Sequence, residues 1–161
     1  MQCFDEPAYK ASFALTIDGV PPGYTALSNM PQSASVPSGA NSRVSFAPTP
    51  KLCTYLLALV VAPLYGVHAM APGGYPCSAY AVDKAVNRGL LNYSLDVAIK
   101  VIPLYVQLFG QPVMVPEMKM VAVPDFAAGA MENVRQLEVD GRVAVRWLSV
   151  GCDARPLVCT L

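Results

Sequence analysis

The stretch with the clearest chemical potential is Val123-Pro124-Asp125-Phe126-Ala127-Ala128-Gly129-Ala130-Met131-Glu132-Asn133, a run of small residues ending in one carboxylate. Gly129 and Ala130 leave the backbone bare, so an extended peptide can lie close and add to the strand edge through main-chain hydrogen bonds. Glu132 would then face the end of that peptide. A lone carboxylate there suits a free α-ammonium group, and substrates would be chosen by their amino terminus. The residue types alone leave open an ordinary strand end with a solvated glutamate. A metal site is harder to build. The one histidine, His68, has Pro72 rather than a second histidine four positions on, and no cysteine or carboxylate lies close in sequence. That context fits a loop or packing residue better than a ligand. Cys152 and Cys159 have no neighbouring histidine or second cysteine pair with which to hold zinc.

Around these residues the chain reads as short strands and one helix. Ala11–Ile17 alternates Phe13, Leu15 and Ile17 with smaller or polar residues, the period of a half-buried strand. Gly19–Gly23 is a turn cluster, Tyr24–Ser28 a short strand, and Gln32–Ser42, rich in Ser, Pro, Gly and Ala, an exposed loop. Arg43–Phe46 is a brief strand, and the apolar run Leu52–Val61 reads as one buried strand. Asn87–Phe109 reads as a helix. Leu91, Leu95, Ala98, Ile102, Val106 and Phe109 form its apolar stripe, Asn87 is its cap, and Gly110 with Pro112 ends it. Pro103 should kink or split that helix near Lys100. Met120–Val123 is a strand feeding the small-residue run, and Val134–Trp147 resembles a hairpin turning at Asp140-Gly141.

Composition bounds the function. Of 161 residues, 54% are hydrophobic and 14% charged, so the chain is not a disordered one. Eleven basic and eleven acidic residues cancel with no basic run, which argues against nucleic acid or an anionic membrane as partner. Five cysteines, odd in number and without a CxxC pair, point to free thiols in a reducing compartment. No basic-then-apolar leader follows Met1, and the apolar run Cys53–Gly66 is too short to span a bilayer. The expectation is a cytoplasmic protein.

Gly129–Asn133 preceded by Pro124–Ala128 resembles the exopeptidase motif of the zinc aminopeptidases, the gluzincins of the aminopeptidase N and puromycin-sensitive aminopeptidase type. Four other segments are similar to the same family: Cys3–Pro7 with Lys10–Phe13, Ala26–Pro31, Cys53–Ala58 with Cys53 in place of a serine, and Leu95–Gly110. Val113–Glu117 departs from it, and the likeness stops after Asn133. The resemblance implies an α+β chain: the end of an all-β N-terminal domain (residues 1–75), then the start of a thermolysin-like catalytic domain (76–133), both incomplete, and a divergent tail (134–161). It implies Zn²⁺ as the family cofactor and peptides with a free N-terminus as partners. Of the family's site it retains Gly129, Ala130 and Met131 as the backbone edge and Glu132 as the amine anchor. The family's His-Glu-x-x-His helix cannot be formed from a sequence with one histidine. No zinc ligand and no catalytic base is therefore expected, and the chain is read as inactive alone. The alternative is a non-catalytic protein that binds peptides or a homologue. Strands deprived of partners further imply self-association through exposed sheet edges.

Overall fold

A computed structural model describes Phe4 and residues 6–113, 116–124, 130–133 and 136–140. The described residues are mostly β-strand with two α-helices. Their contacts fall into two units, one reaching to Pro63 and the other running from Leu64 to Met131, with the residues of the last two strands divided between them.

The first unit is made of short antiparallel pairings. β1 (Lys10–Ala11) pairs with β6 (Leu52–Cys53), and β3 (Thr25–Ser28) pairs with β7 (Leu59–Ala62). A three-stranded sheet runs in the order β2 (Thr16–Val20), β5 (Asn41–Phe46), β4 (Gln32–Ser38). Val20, Ala26, Met30, Val44 and Phe46 form its buried core. Three sequence expectations change here. Residues 12–15 of the expected strand Ala11–Ile17 are irregular. They are held instead by Phe13 N–H on Thr49 Oγ1 (2.9 Å), by Phe46 N–H on the Leu15 carbonyl (3.0 Å), and by Ser12 Oγ on the Thr49 carbonyl. Gln32–Ser42 is a hairpin rather than a loop. Exposed β4 pairs with β5 from Gln32 to Ser38 around a turn at Gly39, whose φ of 64° suits glycine.

The run Leu52–Val61 is not one strand. A 3₁₀ turn, Thr54–Leu56, separates β6 from β7, because Asn29 intervenes. The Asn29 side chain, fully buried, donates to the Leu56 carbonyl (2.9 Å) and accepts from the Ala58 N–H (2.8 Å). Ser28 Oγ donates to the Ala58 carbonyl (2.8 Å). Side chains thus take up backbone groups that a continuous strand would have given to a ladder.

The second unit is a five-stranded sheet with helices packed on one face. β8 (Leu64–Ala71) and β9 (Tyr75–Val82) form a hairpin through Gly73 and Gly74, and β10 (Met118–Val123) lies parallel to β9. The strand order is β11 (Ala130–Asn133), β12 (Gln136–Asp140), β10, β9, β8. Between β9 and β10 come α1 (Asp83–Asn87) and α2 (Asn92–Phe109). The helix therefore starts at Asn92, not Asn87. Asn87 ends α1 with its Nδ2 on Asp83 Oδ1 (2.7 Å), and Gly89 at φ 69° turns the chain into α2. Pro103 does not split α2, which runs unbroken to a left-handed cap at Gly110. Leu95 is buried and Ile99 and Ile102 pack with it against β8 and β9, while Phe109, on the same stripe seven residues beyond Ile102, is exposed at the end of the helix. The turn expected at Asp140-Gly141 lies partly outside the described residues, and Asp140 is the last residue of β12.

Candidate functional site

Ala130–Asn133 forms a strand, and among the described strands β11 stands at one end of the sheet, with β12 as its neighbour. Ala130 is exposed and Met131 half-buried. Gly129 lies outside the described residues, as does the side chain of Glu132. An end strand of this sort leaves one row of backbone N–H and C=O groups unpaired within its own sheet, which is what an added peptide strand uses.

Two strands further into the same sheet, β10 alternates its side chains. Met118, Met120 and Ala122 point to the helices, while Lys119, Val121 and Val123 are buried on the other face. Lys119 Nζ is 2.5 Å from Glu117 Oε1, and both side chains are largely buried. In register, Lys119 and His68 flank Ser78 from the two neighbouring strands, and Val121 and Gly66 flank Tyr80. His68 Nδ1 is 2.9 Å from Ser78 Oγ, and its ring stands edge-on to Tyr80 at 5.7 Å. Burial raises the Tyr80 phenol above its ordinary pKa, the Glu117 charge adds to this, and a hydrogen bond with Ser78 opposes it.

This polar row was invisible in the sequence, because its members come from three strands, with His68 and Lys119 51 positions apart (119 − 68). Two of the three, β8 and β9, are near in sequence, but only the pairing register puts His68 beside Ser78. The row does not make a catalytic set. Ser78 is buried, and His68 lacks a carboxylate partner among the described residues. His68 is thus a packing residue on a strand, not in a loop.

Residues 1–56 match the Peptidase M1 N-terminal domain. The chain is 43% identical over 132 residues to aminopeptidase N of Acetobacter pasteurianus, an alignment covering 81% of this chain and 36% of that protein. The chain belongs to the M1 aminopeptidase family. Two further M1 relatives are the puromycin-sensitive aminopeptidase of Caenorhabditis elegans and endoplasmic reticulum aminopeptidase 1 of Mus musculus. Each is 39% identical over 133 residues, again 81% of this chain but 14% of the relative. The chain therefore spans about a third or less of the length of the curated M1 proteins it matches. M1 aminopeptidases are in general zinc-dependent. The residues here do not fit that ion: among the described residues no three His, Cys, Asp or Glu side chains come together, and the single histidine is bonded to Ser78. No described helix is long and apolar enough to cross a membrane.

Proposed function

We propose that this chain carries the amine-recognition strand of a zinc-dependent aminopeptidase that removes N-terminal residues from peptides. Gly129, Ala130 and Met131 offer the backbone edge along which a peptide lies, and Glu132 holds its free α-ammonium group. The observation that carries this reading is the end position of β11 in the strand order. Residues 76–133 act as the opening of the metallopeptidase domain and residues 1–75 as the close of the β-rich domain before it. The zinc ligands and the general base are not in this sequence, whose one histidine cannot form the family's zinc-binding helix. By itself the chain binds peptides in the cytoplasm and does not cleave them.

The test is a calorimetric titration of one short peptide, free and N-acetylated, against the chain and its Glu132→Gln variant. A solvent-exposed ion pair contributes about 0–1 kcal/mol, so the free peptide should bind up to roughly fivefold more tightly, at about 1.4 kcal/mol per tenfold. The variant should lose that preference. Equal binding in all four combinations would overturn the assignment of Glu132.

A further inference from the structure

We propose that the open end of the first unit's core is a binding site for one neutral sugar ring. A cavity of about 280 Å³ opens there between the turn joining β2 to β3 and the strands β4 and β5. Its size is just below the ~300–1,000 Å³ usual for small-molecule sites. Strand alternation decides which side chains enter it. On β5, Val44 belongs to the buried core, so Ser42, two residues before it, looks to the same side. Ser35 is the register partner of Val44 on β4 and shares that side. Ala26 is also in the core, and Tyr24, two residues before it, follows the same face. Val20, Ala26 and Val44 thus make an apolar floor, with Pro21, Pro22 and Tyr24 on one side and Gln32, Ser35 and Ser42 on the other. The turn is stiff. Tyr24 N–H donates to the Pro21 carbonyl (3.1 Å), Gly23 takes φ 77°, and both prolines have a fixed φ.

The lining selects first by charge. It holds no carboxylate, ammonium or guanidinium group, since Arg43 alternates with Ser42 and Val44 and pairs with Asp18 on the opposite face. An ionic ligand would therefore lose water without gaining a counter-charge. A ligand built of hydroxyls is matched. Serine hydroxyls and a glutamine amide each donate and accept, as every sugar hydroxyl does. Among the described residues the hydroxyls of Ser35 and Ser42 are not engaged by another side chain or carbonyl. Their neighbours are: Ser33 Oγ donates to the Ser45 carbonyl (3.1 Å), and Ser45 Oγ lies 3.0 Å from Thr16 Oγ1. A sugar ring also has a C–H face, for which the Tyr24 ring, 41% exposed, and the two prolines are the apolar cover. An extended peptide is served less well, because β4 and β5 spend their backbone groups on each other here.

The experiment is saturation-transfer difference NMR of the full chain with the methyl pyranosides of glucose, mannose and galactose, with glucuronate as the charged counterpart and a short neutral peptide as competitor. At least one methyl pyranoside should receive saturation on its C–H protons and titrate with a millimolar Kd, and glucuronate should not. Ser42→Val and Tyr24→Ala should each weaken that binding about three- to tenfold, the loss of one hydrogen bond or one ring contact. Val36→Ser, on the opposite face of β4 and 49% exposed, should leave it unchanged. Far-UV circular dichroism should be the same for all three variants. Saturation reaching none of the pyranosides would overturn the proposal. So would binding untouched by both Ser42→Val and Tyr24→Ala, glucuronate bound equally well, or the peptide bound in place of the sugars.

Discussion

Replacing Asn29 by alanine removes two hydrogen bonds that shape the segment leading into β7. The Leu56 carbonyl loses its donor at 2.9 Å and the Ala58 N–H its acceptor at 2.8 Å, in a site where Asn29 itself is fully buried. Each buried backbone group left unpaired costs about 1–3 kcal/mol. The two together, with partial relaxation of the turn, should cost about 2–5 kcal/mol. A domain of this size has roughly 5–15 kcal/mol in all, so the variant should lose a large share of its stability. Urea unfolding followed by far-UV circular dichroism measures this as a lower midpoint at unchanged slope. Asn29→Asp is the sharper control. It keeps an acceptor for the Ala58 N–H but sets a carboxylate oxygen against the Leu56 carbonyl, and it should be at least as destabilised as Asn29→Ala. A loss under about 1 kcal/mol in both variants would refute the argument that Asn29 is what divides β6 from β7.

Pro103→Ala should stabilise the chain by about 1–3 kcal/mol, because it restores a helix donor and removes the ring clash inside α2, read as a higher urea midpoint. Stability should fall at alkaline pH. Burial raises both the Cys77 thiol and the Tyr80 phenol, so their contribution is whole below the unfolded values, about 8.5 and about 10, and is lost as pH rises through the folded ones. Unfolding midpoints between pH 7 and 11 check this, and Cys77→Ala should flatten the lower part of the decline. After dialysis the chain should retain no stoichiometric zinc by elemental analysis. Zinc held tightly and lost on His68→Ala would show a site built around that histidine.

Much of the second unit could be read from the sequence because its signals are local. The Leu95 and Ile102 stripe, the left-handed Gly110 cap and the apolar segment Met120–Val123 each act within a turn or a strand. The errors came from partners distant in sequence. Nothing within Leu52–Val61 tells of Asn29, whose amide lies 27 residues from Leu56 and imposes the break. Nothing in Gln32–Ser38 separates a polar loop from an exposed strand, since β4 is held by backbone bonds to β5 and not by burial. Asn87 has the residue type of a helix cap, but Gly89, two residues further on and at φ 69°, is the better mark of where α2 begins. Of the candidate site, the sequence supplied the small-residue run and the structure supplied its strand and end position. The row of His68, Ser78 and Lys119 needed the register of three strands.

The parallel pairing of β9 with β10 has a consequence for the order in which the sheet is assembled. β8 and β9 are joined by a tight turn and can zip together early, on the microsecond scale of hairpins. β10 cannot join until the intervening residues 83–117, with both helices, have closed over the sheet. β12 and β11 lie beyond β10 in the strand order, so they can join this sheet only where β10 is already in place. The strand proposed to bind peptide is thus the one farthest from the β8–β9 hairpin, with a single strand neighbour among the described residues to hold it. Amide exchange should be fastest in β11, slower in β10 and slowest in β9, so recognition would be lost before the rest of the sheet melts.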